Sequence, residues 1–400
     1  MTTVNLTGAR GEFAATLHTM LATAEVPQAA RSWAAGDLAP GRALWHRLAD
    51  LGVTALAVPE RWGGLGASPA DLAAACEELG HHAVPGPVAE SLAAVPALLA
   101  ALDGTDPAAD PNQANSLAAD TEARAFPVLD EPDRRGEWLA GLVSGDLIAT
   151  LALPPWLPFA ADAGAAGLVL LAEPDAVWVA KPGVTHRSVD PTRSLAVVIG
   201  QHELARHAGP AVAGAFDLGV LACSAQLLGA GRALLEASVA HASVRTQFGQ
   251  PIGAFQAVKH KLADVAIALE FARPLLDAAA VAIADDAATA ARDISAAKVA
   301  CGDAASLAAR AALQVHGAIG YTAEHDLSLW LTKVRALVPA WGSQAEHRRR
   351  VTDALTAPPA FSSPAPSSPA SSSSASSSPA SSSPASSSPV HARRRELPWA

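Results

Sequence analysis

Long hydrogen-bond donors and one aromatic ring occur together in the stretch RTQFGQPIGAFQAVKHKLAD, residues 245–264. Arg245 offers a guanidinium suited to a pyrophosphate, and Gln247 and Gln256 offer amides for a sugar or a base. Phe248 adds a flat apolar surface on which a ring can stack. These residues could hold a ligand that carries phosphates and an aromatic ring. The alternative is a helix N-terminus with solvated side chains, and the pattern alone leaves both interpretations open.

The same stretch resembles the signature RxxFGxxIxxxQxxxxxLAD of the acyl-CoA dehydrogenase family. A second block, QVHGAIGY at 314–321, resembles the family's QxxGGxG(Y/F) segment, with Ala318 in place of the second glycine. A looser match covers roughly residues 12 to 357. The resemblance implies FAD as the cofactor, and the residues it assigns to FAD binding are Arg245, Phe248, Gln256, Gln314 and Gly317.

The resemblance also implies partners. In the family, these motif positions contact the ADP half of a FAD that is bound mainly by the neighbouring subunit. The motifs therefore imply a homo-oligomer, or a hetero-oligomer with an acyl-CoA dehydrogenase paralogue. The implied substrate is an acyl-CoA thioester, the implied oxidant of the flavin is an electron-transfer acceptor, and the implied role is in lipid metabolism and β-oxidation.

The catalytic base that this family needs is not at its expected positions. The family reaction removes the α-proton of the thioester with a carboxylate while the β-hydrogen leaves as hydride to the flavin. Most members place a Glu just before a glycine downstream of the QxxGGxG segment, and that position here holds Trp341. A minority place the base 26 residues before the signature arginine, and that position holds Gly219. Neither residue accepts a proton at neutral pH, so the sequence assigns no catalytic residue.

Other carboxylates near these positions are candidate substitutes. Asp217 lies two residues from Gly219 and is expected to point to another face of a helix. Glu346 requires a rebuilt loop, and Glu324 has counterparts in active relatives that also carry their base. Asp190 and Arg193 could form a catalytic pair, but a β-turn with a surface ion pair is the favoured interpretation.

Three functional hypotheses follow from the resemblance. The first is an acyl-CoA dehydrogenase-type flavoprotein subunit without its own catalytic Glu. The second is a non-catalytic partner chain that completes the FAD site of a base-bearing paralogue. The third is an oxidase or monooxygenase of the same fold, whose chemistry does not need that Glu.

The hydrophobic pattern predicts an α+β fold with helical ends and a small β domain in the middle. After Pro358 the Ser, Pro and Ala repeats cannot form a core. The predicted bundle helices cover 215–243, 254–283, 287–316 and 324–350, with a kink or restart at Pro274. The predicted divisions are an N-terminal helical domain at 1–105, a linker at 106–140, a β domain at 141–208, a C-terminal four-helix bundle at 209–357 and a disordered tail at 358–400.

The middle segment lacks one feature of the resembling family. That family carries Thr or Ser residues and a Gly-Ser-Asp turn in its first strands, which bond to the flavin ring. This chain has ATLALPPWLPFAADAGAAG at 149–167, without that arrangement of hydroxyls. The sequence therefore predicts that the chain lacks a flavin-ring platform of its own.

Composition excludes several classes of function. The formal net charge of −10 argues against nucleic acid as a main partner. The three cysteines show no CxxC pattern and predict buried free thiols in a reducing cytoplasm. No histidine pattern indicates a metal site. The sequence shows no secretory signal and predicts no stretch of membrane-spanning length.

Overall fold

A computed structural model of the chain describes residues 8–102, 134–322 and 325–356. The predicted tail, most of the predicted linker and Glu324 lie outside the described residues. The N-terminal part is helical, as predicted. Its helices are α1 (Ala9–Ala22), α2 (Val26–Ala34), α3 (Ala39–Asp50), α4 (Pro69–His81) and α5 (Val95–Ala101). A further helix, α6 (Arg135–Ser144), begins within the range predicted as linker and leads into the sheet.

Local sequence determines where α4 begins. Ser68 accepts a hydrogen bond from the Asp71 backbone N–H, and the Asp71 carboxylate accepts one from the Ser68 backbone N–H. This reciprocal capping box, followed by Pro69 at the first helical position, determines where the helix starts. The glycines of GGLG at 63–66 form the loop that precedes this cap.

The middle part is a five-stranded mixed sheet in the order β1-β3-β4-β5-β2. All pairings are antiparallel except that of β1 with β3. The mainly antiparallel β domain predicted from the sequence is therefore confirmed. The strands are β1 (Ala149–Ala152), β2 (Ala160–Ala161), β3 (Leu168–Ala172), β4 (Ala176–Arg187) and β5 (Ser194–Arg206).

The C-terminal part is built on three long helices. Together with the N-terminal helices and the sheet, they enclose one continuous apolar core. Gly80 and Gly229 let α4 approach the central bundle helix closely, since a Cβ at Gly229 would lie 1.8 Å from the Glu77 carbonyl oxygen. The elements of this part are α7 (Gly209–Val244), β6 (Thr246–Gln247), β7 (Gln250–Pro251), α8 (Gln256–Ala284), α9 (Ala290–His316), α10 (Leu327–Leu337) and α11 (Gln344–Thr356).

α7 corrects one sequence expectation. Among the described helices, it alone is long and apolar enough to cross a membrane, so the prediction that no stretch has this length is wrong. Its most apolar window is 78% buried inside the protein. Packing against α4, α8 and α9 explains its apolar composition, as for the core helix of a bundle.

The predicted fourth helix is two helices, and this is a second correction. α10 ends at Leu337, and Pro339 follows two residues later, where it cannot continue the helix. The chain then turns at Trp341 and Gly342, whose positive φ values of 60° and 93° redirect it before α11. By contrast, α8 continues through Pro274, where the sequence predicted a kink or restart.

Candidate active site and cofactor surface

Trp341 and Gly219 stand at the two positions that the resemblance assigns to a catalytic base, and they lie against each other. A Cβ built on Gly219 would lie 2.3 Å from Cζ3 and 2.4 Å from Cη2 of the Trp341 ring. The fully buried ring is therefore in contact with the α7 backbone, and only glycine leaves room for it. Two positions far apart in the sequence thus converge on one point, which the tryptophan fills.

The Trp341 backbone is held in a conformation that is uncommon for a bulky residue. A non-glycine residue at positive φ costs on the order of 1–3 kcal/mol. Nε2 of His347 donates a hydrogen bond to the Trp341 carbonyl oxygen at 2.8 Å. Burial lowers the pKa of His347 to about 4, so the imidazole stays neutral at physiological pH. This contact fixes the loop that carries the ring.

Aromatic side chains extend the packing around Trp341. The ring centroid of Phe216 lies 6.2 Å from that of Trp341 and 5.3 Å from that of Trp156. The Arg350 guanidinium lies over both Phe216 and Trp156, at 5.2 and 5.9 Å from the centroids. The same guanidinium donates to Asp217 Oδ1 at 3.1 Å. Asp217 is therefore engaged by Arg350 and is not directed at an open substrate site.

Glu346 is likewise engaged in a contact of its own. Oε2 of Glu346 accepts a hydrogen bond from the Ser343 backbone N–H at 2.6 Å, at the start of α11. Hydrogen bonds from Ser343 hold the pKa of Glu346 below its usual value. A helix-capping carboxylate with a lowered pKa is a poor proton acceptor. Glu324 lies outside the described residues.

A small, charged cavity borders Trp341. Its volume is about 10 Å³, which is close to the smallest space that holds one water. Nε of Arg193 and Nε1 of Trp341 are both buried without a hydrogen-bond partner. The charged side chains make this space unsuitable for an acyl chain. The polar and aromatic residues that line it are Glu90, Asp190, Thr192, Arg193, Gln226, Lys333 and Trp341.

Asp190 and Arg193 form the predicted turn but not the predicted surface ion pair. The Arg193 backbone N–H donates to the Asp190 carbonyl oxygen at 3.0 Å. The Arg193 guanidinium instead donates to Glu90 at 3.3 Å, and the Asp190 carboxylate lies 3.7 Å from Lys333 Nζ. All these side chains are buried or nearly so, because the turn packs into the protein. Sequence reasoning missed Glu90, although a lone acid within the apolar run AVPGPVAESLAAVPALLA was a visible signal.

The five residues predicted to bind the cofactor are exposed on the surface. The β6–β7 hairpin turns at Phe248 and Gly249, which both have positive φ, as a two-residue hairpin turn requires. The turn projects the Phe248 ring, which is 93% exposed, from the end of α7. Arg245 immediately precedes this hairpin, and Gln256 is the first residue of α8, where free backbone N–H groups favour an anion.

The second motif lies at the same end of the bundle. The rings of His241 and His316 stack with centroids 4.3 Å apart, which joins the last turn of α7 to the last turn of α9. Gln314 and Gly317 lie beside that junction in the sequence. The side chains of Phe248 and Tyr321 leave a largely exposed apolar surface there, as expected of a protein or ligand interface. The predicted residues are thus grouped together, as the phosphate-ligand hypothesis requires.

The segment after β1 does not present the flavin-ring platform of the resembling family. Trp156 packs against Phe216, and a Cβ built on Gly342 would lie 3.2 Å from its ring. The Thr150 hydroxyl in β1 is fully buried without a partner. The exposed donors at the bundle end fit the ADP half of FAD, whereas this segment is packed against the Trp341 loop. The assignment of the exposed bundle-end residues to the ADP half of FAD stays a prediction.

Comparisons with known proteins identify the family. The model of the acyl-CoA dehydrogenase N-terminal domain matches residues 10–105, and that of the C-terminal domain matches residues 209–356. The chain is 30% identical over 340 residues to the acyl-CoA dehydrogenase IpdE2 of Mycobacterium tuberculosis, covering 84% of this chain and 94% of the relative. The chain belongs to the acyl-CoA dehydrogenase family, whose members are oxidoreductases that act on CH–CH groups.

Solved structures confirm the fold. Butyryl-CoA dehydrogenase from Megasphaera elsdenii superposes with a TM-score of 0.70 at 18% identity, over 88% of this chain and all of that chain. The ChsE4–ChsE5 complex from Mycobacterium tuberculosis gives a TM-score of 0.70 at 22% identity, over 89% of this chain and 99% of the matched chain. FAD is the cofactor of this family, as the sequence predicted.

Proposed function

We propose that this chain is the base-less subunit of a heteromeric acyl-CoA dehydrogenase. It contributes residues to a FAD that is bound mainly by a base-bearing paralogue, and that paralogue removes the α-proton of the acyl-CoA thioester. The observation that carries the proposal is the contact between Trp341 and Gly219. Both candidate positions for the base lack a carboxylate, and the point where they converge is filled by a side chain that cannot accept a proton.

The surroundings of Trp341 support the same conclusion. α-Proton removal needs a carboxylate over the substrate and hydrogen-bond donors at the thioester oxygen. Asp217 and Glu346 are engaged in an ion pair and a helix cap. The cavity beside Trp341 has about the volume of one water and is lined by charged side chains. An acyl chain would have to displace well-packed aromatic side chains, at a cost of several kcal/mol.

The cofactor surface supports the role of a partner chain. Arg245, Gln256 and Gln314 are exposed and share one end of the bundle, where a neighbouring subunit could present a FAD. Arg245 would bind the pyrophosphate, the two amides would hydrogen-bond the ADP half, and Phe248 would stack or pack at the interface. FAD bound there supplies the hydride acceptor of the family reaction. The fold neighbour ChsE4–ChsE5 is a complex of two differently named chains, which supports a heteromer.

Co-expression with a base-bearing paralogue tests the assembly. We expect the two chains to co-purify through gel filtration with FAD bound, whereas this chain alone retains little flavin. Full flavin occupancy of the chain alone would contradict the proposal.

The chain is proposed to act in the cytoplasm, since its three cysteines are buried free thiols, and burial raises the pKa of Cys76 and Cys301 to about 12.

Arg245→Ala is expected to weaken FAD retention in the complex by roughly tenfold to a hundredfold. A hydrogen bond to a charged group contributes about 1.5–3 kcal/mol, and each 1.4 kcal/mol is about tenfold in affinity. Flavin content after dilution and gel filtration measures the loss. Arg47→Ala removes another exposed arginine, on α3, and serves as the matched control with unchanged flavin content. Equal flavin retention in the two variants would show that Arg245 does not bind the pyrophosphate.

A further inference from the structure

Three histidines and one glutamate converge where α1 meets the C-terminal end of α4. His18 lies on α1, Glu78 and His81 lie in the last turn of α4, and His82 follows that helix directly. Each residue offers one nitrogen or carboxylate oxygen, and these four atoms all lie within 4.8 Å of one another. Imidazole and carboxylate groups are the ligands that Zn²⁺ takes in proteins.

One separation is close to that of neighbouring ligand atoms in a coordination sphere, and a second is that of a direct hydrogen bond. Nε2 of His82 lies 3.2 Å from Nδ1 of His18, and the same Nδ1 lies 2.8 Å from Oε2 of Glu78. Zinc–nitrogen distances of about 2.0–2.1 Å in a tetrahedron place neighbouring ligand atoms about 3.3 Å apart. Glu78 accepts the His18 proton, so the His82 nitrogen has no equivalent acceptor to donate to. A cation could replace that proton and bind all three groups.

His81 supplies an independent indication of a ligand. Its Nε2 lies 2.9 Å from Oε2 of Glu236, and a carboxylate accepts this bond. The proton is therefore on Nε2, and Nδ1 carries the lone pair. Nδ1 of His81 is buried and has no hydrogen-bond partner, and the side chain is 10% exposed. Metal-ligating histidines characteristically donate their other ring N–H to a carboxylate in this way.

The electrostatics of the cluster are compatible with a cation. Three carboxylates lie near two guanidinium groups in this neighbourhood. The carboxylates are those of Glu77, Glu78 and Glu236, and the guanidinium groups are those of Arg232 and Arg273. Arg232 donates to the other oxygen of Glu78. The C-terminal end of α4 adds a partial negative charge.

We propose that His18, Glu78, His81 and His82 form a Zn²⁺ site, with Glu236 as the carboxylate that orients His81. This departs from the sequence prediction, which found no metal site. The site lies outside the Trp341 region and serves to fix α1 to the end of α4. His18 is 42% exposed, so the metal can enter from solvent.

Zinc binding by the full chain, purified with a tag that contains no histidine, tests the site. After loading with Zn²⁺ and dialysis, we expect one zinc per chain by elemental analysis, and tetrahedral absorption bands when Co²⁺ is used instead. The His18→Ala/His82→Ala double variant should lose at least about tenfold in zinc affinity. His46→Ala, which removes an exposed histidine on α3, is the matched control and should bind as the unaltered chain does.

Glu236→Gln keeps the proposal testable if the double variant does not fold. Glu236 is 60% exposed, so its replacement should leave the fold intact, and we expect roughly 10–100-fold weaker zinc binding through the loss of its bond to His81. Absence of stoichiometric zinc in the unaltered chain would overturn the proposal. Equal zinc affinity in the unaltered chain and a folded double variant would also overturn it, since the metal would then bind elsewhere.

Discussion

The chain purified alone is expected to dehydrogenate acyl-CoA substrates about 10²–10⁴-fold more slowly than the complex with a base-bearing paralogue, because general-base catalysis contributes a factor of that size. Displacement of the Trp341 ring by a substrate would slow the reaction further. The measurement is reduction of an electron-transfer acceptor under single-turnover conditions, with the chain alone and the complex compared at equal flavin content.

Two substitutions in the complex locate the base. Replacing the partner's glutamate with glutamine should abolish turnover. Glu90→Gln in this chain should leave turnover unchanged, although Glu90 is one of the two carboxylates that line the cavity beside Trp341. Rapid turnover by the chain alone, lost in Glu90→Gln, would refute the proposed function and identify an unrecognised base. Rapid consumption of oxygen by the chain alone would favour the oxidase or monooxygenase hypothesis.

Glu77→Ala is expected to destabilise the fold by about 3–5 kcal/mol, the usual cost of removing one partner of a buried ion pair. Glu77 lies on α4 and is 4% exposed. Arg273 on α8 binds it through two nitrogens at 2.7 and 2.9 Å, and Arg232 on α7 also donates to it. Its loss leaves two buried guanidinium groups without their shared carboxylate. Urea unfolding at pH 7 measures the effect.

The control for this prediction is Glu137→Ala on α6. Glu137 pairs with Arg134 at 3.2 Å, but both side chains are largely exposed, so the change should remain within about 0.5 kcal/mol. Equal unfolding midpoints for the Glu77 and Glu137 variants would mean that the Glu77 network does not hold the three helices together.

The stability that Glu77 provides should depend on pH in one direction. Burial alone would raise the pKa of Glu77, but hydrogen bonds and charge from Arg273, and then Arg232, outweigh burial and hold the pKa below its usual value. An unfolded glutamate titrates near about 4.3. The contribution of Glu77 to the free energy of unfolding is therefore complete above that pH. It is lost as the pH falls through the lower pKa that Glu77 has in the folded chain. The difference in unfolding free energy between the unaltered chain and Glu77→Ala should shrink below about pH 4.

The sequence predicted the fold well because the fold depends on local patterns. Apolar periodicity gave the helices, β-branched runs gave the strands, and the RxxFG block was long enough to identify the family. The break before Trp341 was missed although Pro339 and Gly342 were visible helix-ending signals in the sequence. The direction that the chain takes afterwards depends on backbone angles supported by His347 in the folded state, which no local pattern reveals.

Contacts between distant segments explain the remaining differences. His18 and Glu78 are 60 residues apart, so no spacing rule could have connected them as metal ligands. Arg193 was expected to pair with nearby Asp190, yet its partner Glu90 lies 103 residues away. The sequence identified Gly219 and Trp341 as separate anomalies. Only the folded chain shows that the small residue accommodates the large one.

This mutual fit means that catalysis cannot be restored one residue at a time. Gly219→Glu would drive a side chain into a ring that already lies 2.3 Å from the position of its first carbon. Trp341→Glu would remove the ring and leave a void around a buried carboxylate, when a large-to-small core change alone costs about 3–5 kcal/mol. A functional reversion has to pass through an unstable intermediate sequence. If the proposed function holds, the packing of Gly219 against Trp341 therefore opposes a return to an active subunit by single substitutions.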